Sequence, residues 1–237
     1  MKNLPRYTIA AILIIIPGIL LMKGIYGSFL FCFSIPLLWQ IAYLGKPVSS
    51  LGLRMKSLTA CIVIGGLSGV SLGLIGGKLL QLIGLANYSL ADSQSIGFGI
   101  GALKIEFSLA RELGYQLLSK SNSFSGLLLY VLFSILVIGL GEEIFWRGFI
   151  QGKIANRTTK TAAISITAIL FSLIHFYIFI IIPVDKSIIL LVLIGVAGVA
   201  WGYIYEKTEN IWSVAISHGI AAAIIWKHFF ALPLTAG

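Results

Sequence analysis

A chain of 237 residues that is 58% hydrophobic and only 11% charged lacks the polar shell of a soluble domain, so lipid must solvate most of its surface. Within a bilayer only helices or a closed barrel satisfy every backbone N–H and C=O. The apolar runs here have the length of a crossing helix, not the alternating segments of roughly 10 residues that build a barrel. The net charge of +9 comes from Lys and Arg scattered through short connections, without the basic run or interleaved aromatics of a nucleic-acid surface, so no nucleic-acid partner is expected.

The apolar runs predict an all-α polytopic membrane protein, one transmembrane domain over residues 1–237. It would be a bundle of about seven spans (six to eight) with one added amphipathic helix. The first run, 7–22, follows Lys2 and Arg6; without a small-x-small cleavage site before Lys23 it reads as a retained span, not a signal peptide. The second, 26–44, and the third, 58–77, carry the two cysteines, Cys32 and Cys61, both in apolar surroundings where no disulfide framework is expected. In the third run Gly65, Gly69, Gly73 and Gly77 recur every four residues, a face that lets a second helix approach closely, with a groove for a substrate peptide as the alternative use. Residues 79–90 either extend this run or form a further short one.

The less apolar stretch 87–123 places Ile105, Leu109, Leu113 and Leu117 four apart, opposite Glu106, Arg111 and Lys120. That pattern predicts an amphipathic helix on the membrane surface or against the bundle. Four more spans follow at 125–150, 161–182, 188–205 and 211–231; Gly198 and Gly202 repeat the four-residue glycine spacing in the third of these, and His228 falls near the end of the last, at the interface. Seven spans put three basic clusters on one side: Lys2 with Arg6, then Lys46, Arg54 and Lys56, then Lys153, Arg157 and Lys160. The positive-inside rule makes that side cytoplasmic, with the N-terminus inside and the C-terminus outside.

Ionisable groups inside a span cost at least roughly 2.5–3.5 kcal/mol each, so those that occur there are paired or functional. The segment GLGEEIFWRGFI holds Glu142, Glu143 and Arg147 in an otherwise apolar helix. Glu143 and Arg147, four apart, share a face and can pair. Glu142 points about 100° away and has no sequence-local cation. A desolvated carboxylate in that position is disposed to take up a proton, as a general base must. A purely structural role for both glutamates, as ion pairs fixing the bundle, is the plainer alternative.

FSLIHF sets His175 one turn after Phe171, and SVAISHGIAA sets His218 near the start of the last span. Each histidine alone is as well read as a hydrogen-bonded packing residue. At 1.5 Å per residue, Glu142, His175 and His218 lie about 14, 20 and 11 Å from the cytoplasmic ends of their helices, so all three can meet in one cavity in the cytoplasmic half.

Glu142-Glu143-x-x-x-Arg147, then Phe171-x-x-x-His175, then His218 resemble the three ordered motifs of the CAAX protease and bacteriocin-processing (Abi) family, which includes the Rce1-type prenyl-protein endoproteases. RGFIQ after the first motif and GYIYEKTENIWSVAISH before the third agree, and the likeness covers about 125–225 as a catalytic core. The resemblance implies an intramembrane glutamic-type endopeptidase acting on a membrane-associated peptide or protein. It implies that Glu142 and His175 activate a water, that His218 stabilises the oxyanion and that Arg147 orients the acidic pair, with Glu143 and Phe171 in support and no cofactor. One position departs: the family usually has an asparagine four residues after the third-motif histidine, and here it is Ala222. Ala222 favours the rival reading, a non-catalytic interaction or immunity protein that retains the site. One Glu and two His also match the donors of a catalytic zinc, but without HExxH spacing the metal-free reading is preferred. A transporter with a Glu/His proton relay is the remaining alternative, unsupported by any internal repeat. Size and composition suggest a prokaryotic cell membrane.

Overall fold

The computed structural model describes Pro36, Trp39, Gly45 and residues 47–55, 57–85, 98–100, 103–105 and 120–230. Among these residues the long elements are five helices: α1 (Leu58–Leu82), α2 (Phe124–Ala155), α3 (Lys160–Leu173), α4 (Val184–Thr208) and α5 (Ile211–Phe230). By length and composition α1, α2 and α4 can cross a membrane, while α3 and α5 are shorter apolar helices. Large apolar side chains face outward on them, such as Leu67, Leu74, Leu129 and Val192, as lipid-facing helices require. The expected spans 7–22 and most of 26–44 lie outside the described residues, as do parts of 79–90; of His228 only the helical backbone is described.

Local chemistry sets the boundaries. The third run extends past 77 to Leu82, where Gly84 at φ 71° ends α1: Gly84 N–H donates to Gln81 O and Leu85 N–H to Leu80 O, the paired bonds of a Schellman cap. The Ser123 hydroxyl accepts from Gly126 N–H to start α2, and Thr159 accepts from Ala162 N–H to start α3. Glu209 in the left-handed region closes α4, and Asn210 then accepts from Trp212 N–H to open α5.

Two sequence expectations are corrected. Within the stretch read as an amphipathic helix, Phe98–Ile100 (β1) and Leu103–Ile105 (β2) pair antiparallel, with Phe98 opposite Ile105. Glycines at 97, 99 and 101 each weaken a helix by about 1 kcal/mol, and a two-residue link is the commonest hairpin connection. Ile105 therefore belongs to a strand and Lys120 to a 3-10 turn, Lys120–Asn122, while Glu106, Leu109, Arg111, Leu113 and Leu117 lie outside the described residues. The expected span 161–182 is not one α-helix either. It narrows to a 3-10 turn over Ile174–Tyr177, then resumes for one turn at Ile178–Ile181.

The glycine faces are helix-packing faces. A Cβ on Gly65 would meet Ser213 O at 2.6 Å, one on Gly69 would meet Ser217 O at 2.7 Å, and one on Gly73 would meet Ile224 at 2.9 Å, so α1 lies directly on the α5 backbone. Gly198 and Gly202 do the same between α4 and α3, against Ala168, Phe171 and Ile164. Gly139 of α2 and Gly219 of α5 mark a third crossing, where Ser134 Oγ donates to Gly219 O at 2.8 Å. At one end of the bundle the segment 47–55 folds in: Leu51 is fully buried against Gly148, and Gly52 O accepts from Ile211 N–H.

Candidate active site

Helix α2 is wound unevenly around its acidic pair. Ser134–Gly139 and Ile144–Gln151 are π-helical, and Leu140–Glu143 between them is α-helical. Such wide turns cost regular hydrogen bonds and occur mostly where a functional side chain must be aimed. Here all of Leu140 to Ile150 is buried, including Glu142, Glu143 and Arg147.

The sequence expectation of a Glu143–Arg147 pair is met: an Arg147 guanidinium nitrogen donates to Glu143 Oε1 at 2.8 Å, both side chains fully buried. A second guanidinium nitrogen donates to Gly198 O at 2.9 Å, and the ring of Phe171 lies 5.1 Å from the guanidinium carbon. One turn on, Gln151 Nε2 donates to Gly202 O at 3.3 Å. The glycine pair of α4 thus brings its backbone within reach of α2 as well as of α3. A buried cation and carboxylate are tolerable only when paired and hydrogen-bonded, as these are through Glu143 Oε1 and Gly198 O.

His218 joins the same carboxylate. Its Nδ1 lies 2.7 Å from Glu143 Oε1, and its Nε2 lies 3.9 Å from Glu142 Oε2. A carboxylate oxygen that already accepts from Arg147 accepts here too, so Nδ1 carries the hydrogen and Nε2 faces Glu142. At 3.9 Å the latter pair is too long for a direct hydrogen bond and has the span of a single bridging oxygen. Glu142 Oε2 has no hydrogen-bond partner among the described residues.

His175 is held from its own helix. Its Nδ1 lies 2.8 Å from Phe171 O, and since a carbonyl only accepts, Nδ1 is the protonated nitrogen and Nε2 the one turned away. The 3-10 turn at Ile174–Tyr177 contains His175 itself. Phe171 connects the two histidines, with ring centroids 5.0 Å from His175 and 5.9 Å from His218. The structure therefore gathers Glu142, Glu143, Arg147, Phe171 and His218 directly, and joins His175 to them through the Phe171 ring.

Three further residues complete the setting, of which Trp201 and Ser68 were not singled out from the sequence. The Trp201 indole stacks on His218, with centroids 4.0 Å apart and planes 20° apart. Its Nε1–H donates to Ser217 Oγ at 3.2 Å, and Ser68 Oγ of α1 donates to the same hydroxyl at 2.9 Å. Ser217 does face away from His218, as helical geometry demands, and by doing so it fixes the ring that covers His218. A tryptophan three residues past Gly198 was the available signal. Ala222 is half-buried and offers no polar group. No group of three His, Cys, Asp or Glu side chains among the described residues is arranged to hold a metal ion.

Against this geometry, residues 124–224 match the profile of a protein family described as type II CAAX prenyl endopeptidase Rce1-like. The protein carries an Rce1-like segment. That segment runs from the start of α2 into α5 and contains every site residue named from the sequence, while Ser68 and the rest of α1 lie before it. No curated protein and no solved structure matches the chain.

Proposed function

We propose that the protein is an intramembrane endopeptidase that hydrolyses a peptide bond of a membrane-associated peptide or protein with a water activated by Glu142 and histidine. The observation that carries this reading is the buried carboxylate of Glu142, whose Oε2 has no hydrogen-bond partner among the described residues and faces His218 Nε2 at 3.9 Å, inside an Rce1-like segment. Two carboxylates against one guanidinium leave one negative charge in an apolar core. A single proton held between Glu142 and His218 balances it.

In the proposed reaction, water sits between Glu142 and a histidine Nε2. Glu142 takes one of its protons as the oxygen bonds to the substrate carbonyl carbon. The oxyanion of the tetrahedral intermediate receives a hydrogen bond from His218 Nε2–H, whose ring is oriented through Nδ1 by Glu143 and, behind it, by Arg147. The proton on Glu142 passes to the amide nitrogen, the C–N bond breaks, and an acid and an amine leave. His175, with Nε2 as its basic nitrogen, shares in holding the water. No step calls for a metal; chelator-resistant cleavage by metal-free protein is the expected result. We place the site in the cytoplasmic half of a prokaryotic cell membrane, with the N-terminus inside.

The test compares the peptides of cells expressing the wild-type chain with those of cells expressing Glu142→Gln at equal membrane level. Peptides that end at a defined new terminus and vanish with Glu142→Gln are expected; identical peptide sets would overturn the reading. The second reading, a non-catalytic interaction or immunity protein, is favoured by Ala222, and it predicts that Glu142→Gln retains full biological effect.

A further inference from the structure

The bundle end that holds the start of α1, the end of α4 and the start of α5 contains a cleft of about 270 Å³, apart from the acidic site. Its wall includes Arg54, Ser57, Cys61, Lys207, Asn210 and Ser213. Two helices begin there. The first N–H groups of any helix lack intrahelical partners and carry partial positive charge; α1 begins at Ser57 with no side chain capping it. At α5 Ile211 N–H donates to Gly52 O and Trp212 N–H to Asn210, so the uncapped helix start in this cleft is that of α1. Lys207 makes no ion pair among the described residues, and Arg54, although paired with Glu209 at 3.1 Å, leaves the other donors of its guanidinium fork to one side.

An independent observation points to a ligand. Ser213 is fully buried, lines this cleft, and its Oγ has no hydrogen-bond partner among the described residues. A helical serine normally turns back to the carbonyl four residues earlier. For Ser213 that residue is Glu209, which lies in the left-handed region outside α5, and no bond from Ser213 Oγ to it forms. A buried orphan hydroxyl costs about 1–3 kcal/mol, a cost that an acceptor bound in the cleft would relieve.

We propose that this cleft binds a phosphate-type oxyanion, carried either on a lipid headgroup or by free phosphate. Ser213 Oγ and the first N–H groups of α1 donate to it, and Arg54 and Lys207 supply the charge. The apolar part of the wall, Ala60, Cys61 and Ile64 on one side of α1, includes the outward-facing Ile64 and suits the glycerol end of a lipid lying against the bundle. The inference does not rest on peptidase activity.

The experiment measures thermal unfolding of the purified full chain in a neutral detergent titrated with inorganic phosphate, with chloride at matched ionic strength. A parallel arm titrates the same detergent with phosphatidylglycerol, and with phosphate-free diacylglycerol as its control. Wild-type Tm is expected to rise with phosphate, with phosphatidylglycerol, or with both, and the responding arm identifies the source. Ser213→Ala and Lys207→Gln are each expected to raise the half-saturating concentration about tenfold, the loss of one charge-assisted hydrogen bond. Ser213→Ala removes an unpartnered hydroxyl, so its unliganded Tm stays at or above wild type, which keeps folding out of the comparison. A wild-type Tm that responds to neither probe, or a response undiminished in both variants, overturns the proposal.

Discussion

Within the acidic cluster, position decides whether a residue is structural or chemical. Arg147 is bonded on two sides and fully buried, and Glu143 Oε1 serves both Arg147 and His218. Removing one member of such a pair strands the other charge, so Arg147→Met is expected to lower stability by about 3–5 kcal/mol, as read by chemical denaturation in detergent. Glu142→Gln is expected to behave oppositely, with unfolding unchanged within about 1 kcal/mol and cleavage lost; the two assays on one preparation separate these roles. Trp201 touches no acid but fixes the ring plane of His218. Trp201→Leu is expected to lower kcat about tenfold or more with little change in KM, and Trp201→Phe, which keeps a stacking face, to recover most of it. The pairing of Glu143 with Arg147 was legible because four-residue spacing alone creates it. The bond from Glu143 to His218 and the cover of Trp201 were not, because they depend on the crossing of α2, α4 and α5, which no local pattern encodes.

At the scale of the helices, what was readable was the apolar run, and what was not was its internal winding. Apolar length predicts that 125–150 and 161–182 are helical, but hydropathy is blind to whether a turn is α, π or 3-10. The two π stretches of α2 and the 3-10 turn at His175 therefore emerge only from packing. The ribbon at 98–105 was missed for a different reason: a four-residue repeat of leucines downstream outweighed alternating glycines that oppose a helix. The glycine faces, by contrast, were read correctly from spacing. Gly69 touches the α5 backbone at Ser217, whereas Gly66 on the other side of α1 has nothing near it. Gly69→Ala is therefore expected to destabilise by about 1–3 kcal/mol, and Gly66→Ala to be neutral or to stabilise by up to about 1 kcal/mol. Paired thermal melts of the two variants check this.

For the whole molecule, composition named the solvent and the charges suggest the orientation. The loops joining α2 to α3 and α4 to α5 share one end of the bundle with residues 47–55, tied by the Arg54–Glu209 and Lys160–Glu206 ion pairs and by Asn210 Nδ2 donating to Arg54 O. Lys153, Arg157 and Lys207 belong to the same end, the one we propose to be cytoplasmic on the positive-inside rule. In a Cys32→Ala/Cys61→Ala background, Thr158→Cys is expected to resist a membrane-impermeant thiol reagent in intact cells, and Ser125→Cys at the opposite end to react. Reversed labelling would invert the topology and move the site to the other half of the bilayer.

The hydroxyl of Ser68 has a wider consequence. A single atom on α1, ahead of the Rce1-like segment, closes the chain of contacts through Ser217 and Trp201 onto His218. The boundary by which this protein is recognised is therefore not the boundary within which it works. A fragment cut at residue 124 would keep every acid and base yet lose the wall against which the last of them is held still. The smallest autonomous unit of this machine must begin no later than α1.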